Sequence, residues 1–309
     1  MSRRKKFAVT PLRAKCGRRT RTDAAGRRIS SSQKRKSATA KAVTAVALRL
    51  TQRRARRRVA RVNLARRAVA EGVGTALLLA AVIGSGIMAE RLANGNVAIA
   101  LLANAIATGG ILVAVLLAVG PISGAHLNPA VTIADAWQRG ISWRDAPVYI
   151  AAQLVGAIAG VAAANVMFGL PPITISHHAR SGSPLIFSEF VATFGLLAVI
   201  WGCARSRAGA TPYAVAAYIV GAYWFTSSTS FANPAVTIAR SLSDTFAGIR
   251  PSDMPFFILA QLAGAIAATS LFAWLAPTIH APAVDPILVP HPTEAPDVTE
   301  RRRTIAAHR

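Results

Sequence analysis

Apolar positions in this chain neither alternate nor keep to one helical face. They run together in blocks. Six blocks approach the ~20 residues needed to cross a bilayer as a helix: 68–89, 97–119, 147–168, 185–203, 211–226 and 254–276. Several are rich in Gly and Ala, and spacings such as Gly156/Gly160 suit close approach of membrane helices. Two further apolar segments, 129–138 and 234–242, are too short to span. Each follows a polar loop bearing Gly or Ser, and reads as a re-entrant half-helix. Such backbone is tolerated at membrane depth only where protein or a wet cavity covers it. The pattern predicts an all-α membrane fold with six transmembrane helices and two re-entrant half-helices.

The half-helices open with the same seven residues. Asn128-Pro129-Ala130 and Asn233-Pro234-Ala235 each continue Val-Thr-Ile-Ala, 105 positions apart. Pro suits the first helical position, where its missing N–H has no partner to lose, and Asn is a preferred cap for it. Two such half-helices meeting nose to nose would aim two positive dipole ends and two amide donors at one point. The repetition extends further. The segment from Glu71 resembles that from Glu189, and the segment from Tyr149 resembles that from Phe257. Each half is span, span, half-helix, span. Three spans per half is odd, so the second half enters from the opposite side, giving an inverted repeat about an axis in the membrane plane.

Charge changes the picture only at the ends. The formal net charge is +24, but residues 1–67 hold 24 of the 36 Lys+Arg and one acid, Asp23. Domain organisation follows: a disordered basic tail over 1–66, an apolar, low-charge membrane domain over 67–276 and a disordered C-terminal tail over 277–309. Residues 40–64 have the make-up of a basic amphipathic helix on anionic lipid. No aromatic interleaving or motif supports specific nucleic-acid binding. The tail also lacks the apolar core of a secretory signal. An alternative is that Met1 is an over-called start, with translation beginning near Val59 or Val62. The basic tail, Arg139, Arg144, Arg205, Arg207 and Arg301 to Arg303 place both termini in the cytoplasm. Cys16 and Cys203 make neither a disulfide framework nor a metal site.

Ser123-Gly-Ala-His-Leu-Asn-Pro-Ala-Val-Thr and Ser230-Phe-Ala-Asn-Pro-Ala-Val resemble the major intrinsic proteins, the aquaporin and aquaglyceroporin channels, over roughly 66–276. The resemblance implies half-helices meeting at mid-membrane, one pore per protomer and a homotetramer. Beside it, the residues carry their own chemistry. Asn128 and Asn233 offer amide donors to a neutral solute that has shed water, and carbonyls of 124–127 and 228–232 offer acceptors. The family pattern gives His126 a supporting role beside its loop. It makes Glu71 and Glu189 acceptors for freed loop backbone, against the proton-coupling role that an intramembrane acid otherwise suggests.

One departure concerns selectivity. Most family members carry Arg directly after the second Asn-Pro-Ala; here Val236 stands there. Counting by the family's spacing gives Thr108, Gly221 and Ser230 as the other members of the narrow filter. All four are small or medium and uncharged, so the expected aperture is wide and lacks the cationic barrier. Tyr223 and Trp224 narrow it if their helix is rotated. The Val resembles the arsenic-associated bacterial branch of aquaglyceroporins. That implies passage of arsenous acid, organoarsenicals and glycerol-like polyols across a bacterial inner (plasma) membrane.

Rival readings are a general water, glycerol or urea facilitator, an ion-coupled secondary transporter, and a membrane-tethered basic scaffold whose tail is the working part. The body has no nucleophile–base pairing, phosphate loop or metal cluster, so the chain reads as neither an enzyme nor a cofactor holder. His177 and His178 read as surface loop residues. The expected partners are small neutral solutes and the lipid bilayer.

Overall fold

The computed structural model describes residues 62–275. Most of the basic tail, and the C-terminal tail expected from 277, therefore lie outside the described residues, while the boundary expected at 66 lies within them. Eight α-helices follow in order: α1 (Leu64–Leu92), α2 (Val97–Ser123), α3 (Pro129–Trp137), α4 (Ala146–Met167), α5 (Ser183–Ser206), α6 (Thr211–Phe225), α7 (Pro234–Arg240) and α8 (Met254–Leu275). Short 3₁₀ turns at Ala208–Ala210 and Pro251–Asp253 lead into α6 and α8.

Helix ends follow their capping residues. α1 starts earlier than its apolar block because the Asn63 side chain accepts the Arg66 backbone N–H at 2.9 Å. Asn96 caps α2 likewise, accepting from Ile99 at 3.2 Å. α2 stops where Gly124 takes a φ of 93°, a left-handed conformation that costs glycine little.

Five helices (α1, α2, α4, α5 and α8) are long and apolar enough to cross a membrane. The sixth expected span, α6, has 15 residues, about 22 Å of helix. Outward-facing Leu102, Ile106, Val155, Phe187 and Leu259 are exposed, the surface a lipid-facing bundle needs rather than one for water.

α1 packs chiefly on α4 and α2, and α5 on α8 and α6, so the halves repeat one arrangement. They join through α2 with α6 and through the two half-helices, which contact each other and the opposite halves. Close approach depends on small residues. A methyl group at Gly156 would overlap the Gly72 carbonyl oxygen, and one at Gly160 the Ala76 carbonyl oxygen. In the other half, a methyl at Gly264 would overlap the Phe190 carbonyl oxygen. Gly156 and Gly264 occupy corresponding places in the repeat, so the glycine spacing reflects helix contact in both halves.

Candidate functional site

The half-helices converge as the repeated heptapeptide suggests. Asn128 and Asn233 are the N-cap residues of α3 and α7, each followed by Pro in the first turn. Asn128 Oδ1 accepts from the Ala130 N–H at 2.9 Å. Asn233 Oδ1 accepts from Ala235 at 2.9 Å and Val236 at 3.3 Å. Their amide nitrogens cross over: Asn128 Nδ2 donates to the Ala232 carbonyl and Asn233 Nδ2 to the Leu127 carbonyl, both at 2.8 Å. Each Nδ2 carries two hydrogens. One ties the tips together and one remains for the cavity that both residues line.

The loops before the tips are strained in the same way. Ala125 and Leu127 have φ of 48° and 52°, and their counterparts Ser230 and Ala232 have 51° and 49°. Left-handed backbone at such residues costs of order 1–3 kcal/mol each and persists only when surroundings impose it. Two buried carboxylates do so. Glu71 accepts from His126 N–H at 2.9 Å, Leu127 N–H at 2.6 Å, Ser123 Oγ at 2.6 Å and Gln153 Nε2 at 2.8 Å. Glu189 accepts from Phe231 N–H and Ala232 N–H at 2.9 Å, and from Gln261 Nε2 at 2.7 Å. Both glutamates are wholly buried, and neither borders the cavity. A planar trans peptide points its C=O opposite its N–H. Amides turned toward the glutamates therefore turn the carbonyls of Ala125, His126, Ser230 and Phe231 the other way, to the cavity side.

That cavity runs between the halves and holds about 70 Å³. One wall is the loop stripe with Asn128, Asn233, Val131 and Val236. The facing wall is apolar: Leu78 and Val82 from α1, Leu112 and Leu116 from α2, and their counterparts Leu196, Ile200, Val215 and Ile219 from α5 and α6. A solute meets donors and acceptors on one side and hydrocarbon on the other.

Of the residues assigned to the filter, Thr108, Ser230 and Val236 line the cavity. Gly221 does not; it is exposed, with nothing within 4 Å of where a side chain would start. The lumen-facing residues of α6 are Val215, Ile219 and Tyr223, one helical turn apart. Gly221 lies two residues from both Ile219 and Tyr223, about 200° round the helix. Counting by the family's spacing missed this. Tyr223 is the residue that enters, its hydroxyl 3.1 Å from Thr108 Oγ1, so this end is narrower than four small residues would leave it. Trp224 is exposed.

His126 also lines the cavity. Its Nδ1 lies 3.1 Å from Thr132 Oγ1 and its Nε2 3.4 Å from Asp135 Oδ2, contacts that hold the ring beside its loop. His177 is exposed and paired with Asp244 at 3.1 Å. Arg180, on the loop before α5, is buried and was not singled out from the sequence. It donates to carbonyls of Gly248 at 2.7 Å, Phe246 at 3.3 Å and Ser228 at 3.4 Å. Burial pulls its guanidinium down to about 10, which leaves it charged at neutral pH.

A model of the family described as Major intrinsic protein matches residues 58–230. The chain belongs to this family. It is 50% identical over 213 residues to aquaglyceroporin AqpS of Rhizobium meliloti (strain 1021), covering 69% of this chain and 91% of that one. It is 32% identical over 241 residues to the probable aquaporin AqpM of Archaeoglobus fulgidus, covering 69% and 98%. Among solved structures, the aquaglyceroporin from Plasmodium falciparum superposes with a TM-score of 0.53 at 21% identity, covering 72% of this chain and 99% of that chain. That likeness concerns the fold. As a major intrinsic protein, the chain is a multi-pass membrane channel of the aquaglyceroporin type for small solutes, and not an enzyme.

Proposed function

We propose that the channel passes arsenous acid, organoarsenicals and glycerol-like polyols passively through the lumen described above. The observation that carries this reading is Val236 on the lumen wall, where the family's filter arginine would stand. With Thr108, Tyr223 and Ser230 it makes an uncharged constriction. Arsenous acid is neutral near pH 7 and carries three hydroxyls. It can donate to the carbonyls of the loop stripe and accept from the free Asn amide hydrogens, while the apolar wall keeps the contacts loose. The half-helix N-termini oppose cations at the waist. Thr108, Ser230 and Val236 thus set size selection, Asn128 and Asn233 set orientation, and His126, Glu71 and Glu189 support the loops. The chain sits in a bacterial inner membrane as a homotetramer, both termini cytoplasmic. The basic tail lies against anionic lipid.

The test is a flux panel on the purified protein in lipid vesicles: water, glycerol, urea and arsenous acid, for the wild type and Val236→Arg. The proposal expects arsenous acid to pass at a rate comparable to glycerol, and Val236→Arg to cut both. Glycerol and urea flux without arsenous acid flux makes the protein a general facilitator. Unchanged large-solute flux in Val236→Arg contradicts the role of Val236.

A further inference from the structure

The two heptapeptides are identical through Ala134 and Ala239, and then they part. The eighth residue is Asp135 in one copy and Arg240 in the other. Each meets the loop residue two before its own Asn. Asp135 Oδ2 lies 3.4 Å from His126 Nε2. The Arg240 guanidinium lies over Phe231, 3.4 Å from the ring centroid. His126 and Phe231 are the same place in the repeat, and both line the lumen. The repeat thus carries an acid at one end and a base at the other. The two are not placed alike. Asp135 does not border the lumen; Arg240 does.

Arg240 is 2% exposed. Its Nε donates to the Ala247 carbonyl. Among the described residues, no protein acceptor serves Nη1 or Nη2, neither nitrogen is sealed from the cavity, and no carboxylate lies within ion-pair distance. Arg180 flanks the same Phe231 ring at 5.1 Å, but its guanidinium donates to three backbone carbonyls. A buried cation with no carboxylate beside it and two donor nitrogens unserved is costly. Here the open face of that cation is the lumen. Ser230 Oγ, on the same lumen, is likewise buried without a partner. Arg240 is four residues beyond Val236, on the same face of α7. Its charge therefore stands one turn further from the Asn233 tip than the residue it compensates for.

We infer that Arg240 is a solute-contacting residue of this channel: it presents its Nη donors to oxyacids, whose two or more oxygens on one centre match a forked guanidinium, and it repels cations at the Tyr223 end of the lumen. The missing filter charge is thus displaced by one turn rather than lost. A planar fork gripping two oxygens makes stronger hydrogen bonds than a neutral donor. Urea, with one oxygen, gains less.

This inference rests on the lumen being the solute path, and the test separates the two. Influx of arsenous acid, boric acid and urea, together with passive proton leak read by an entrapped pH dye, is measured in vesicles holding the wild type, Arg240→Met or Arg240→Lys. The inference expects the oxyacid-to-urea flux ratio to fall about tenfold in Arg240→Met, the loss of one charge-assisted hydrogen bond, while proton leak rises. Arg240→Lys keeps the leak low, but its ratio still falls, because an ammonium cannot fork. A ratio and leak in Arg240→Met both within twofold of the wild type overturn the inference. Should Arg240→Met fail to fold, Arg240→Lys decides through its ratio, and an unchanged ratio overturns the inference. A wild type that conducts no urea and no oxyacid overturns the channel reading itself.

Discussion

Replacing Glu71 by Gln should destabilise the channel severely without touching the lumen wall. Glu71 accepts four hydrogen bonds and is fully buried. A glutamine keeps one acceptor oxygen and puts an NH₂ where the other stood. If the amide Oε1 keeps accepting from Ser123 and His126, the Leu127 N–H and Gln153 Nε2 then face the new NH₂. Each buried donor left unpaired costs about 1–3 kcal/mol, so the expected loss is about 2–6 kcal/mol, before the left-handed backbone at Ala125 and Leu127 loses its restraint. Glu189→Gln should cost less, because Glu189 holds three hydrogen bonds: Ser228, the counterpart of Ser123, accepts from the Ser230 N–H but does not donate to the carboxylate. The assay is equilibrium unfolding of the detergent-solubilised protein, with solute flux in vesicles as the second readout. The order expected is wild type, then Glu189→Gln, then Glu71→Gln, with flux falling in step with the folded fraction. A Glu71→Gln protein as stable as the wild type would show that these four hydrogen bonds do not hold the loop. So would one that stays folded but loses only proton-driven uptake, since that marks a proton-coupling acid rather than a loop anchor.

Three more expectations follow from named contacts. Tyr223→Ala should raise glycerol flux severalfold by opening the Thr108 side, whereas Tyr223→Phe should change it little; equal effects from both would assign the constriction elsewhere. Gly156→Ala, whose methyl would meet the Gly72 carbonyl, should cost about 1–3 kcal/mol by overpacking, and a neutral result in the same unfolding assay would contradict the α1–α4 contact. His178, on the loop before α5, sits below its ordinary value of 6.5 because burial and then Arg180 and Arg240 disfavour its charge. Its contribution is therefore complete above pH 6.5 and is lost as pH falls from there through its lower folded value. The melting temperature should drop between pH 7 and 5, and His178→Gln should flatten that drop.

Much of this was legible because the repeat announces itself in residue identity. Asn128 with Asn233 and Glu71 with Glu189 stand out as pairs in the sequence alone, and each pair has matching backbone partners in the structure. The half-helices were legible from Pro and Asn at their starts, which are local signals. The α6 face was not. Periodicity is nearly silent in a helix apolar on all sides, so the choice between Gly221 and Tyr223 depended on the length of the loop that follows. Arg240 was unreadable for a related reason. A lone arginine at a helix end normally reaches solvent, and only the Phe231 ring and the enclosing Ala247 carbonyl reveal that this one turns inward. Asp135 was hidden in the same way, since its partner His126 lies across a loop whose left-handed turns no composition rule marks.

An open, passive lumen between the two Asn tips is what makes this protein a channel. It is tested most directly by stopped-flow swelling of vesicles holding the purified protein, driven by glycerol gradients of increasing size, with and without a protonophore. The expected result is a rate well above that of empty vesicles, linear in the gradient and indifferent to the protonophore. A rate that saturates at low glycerol, or collapses when the proton gradient is dissipated, would contradict it.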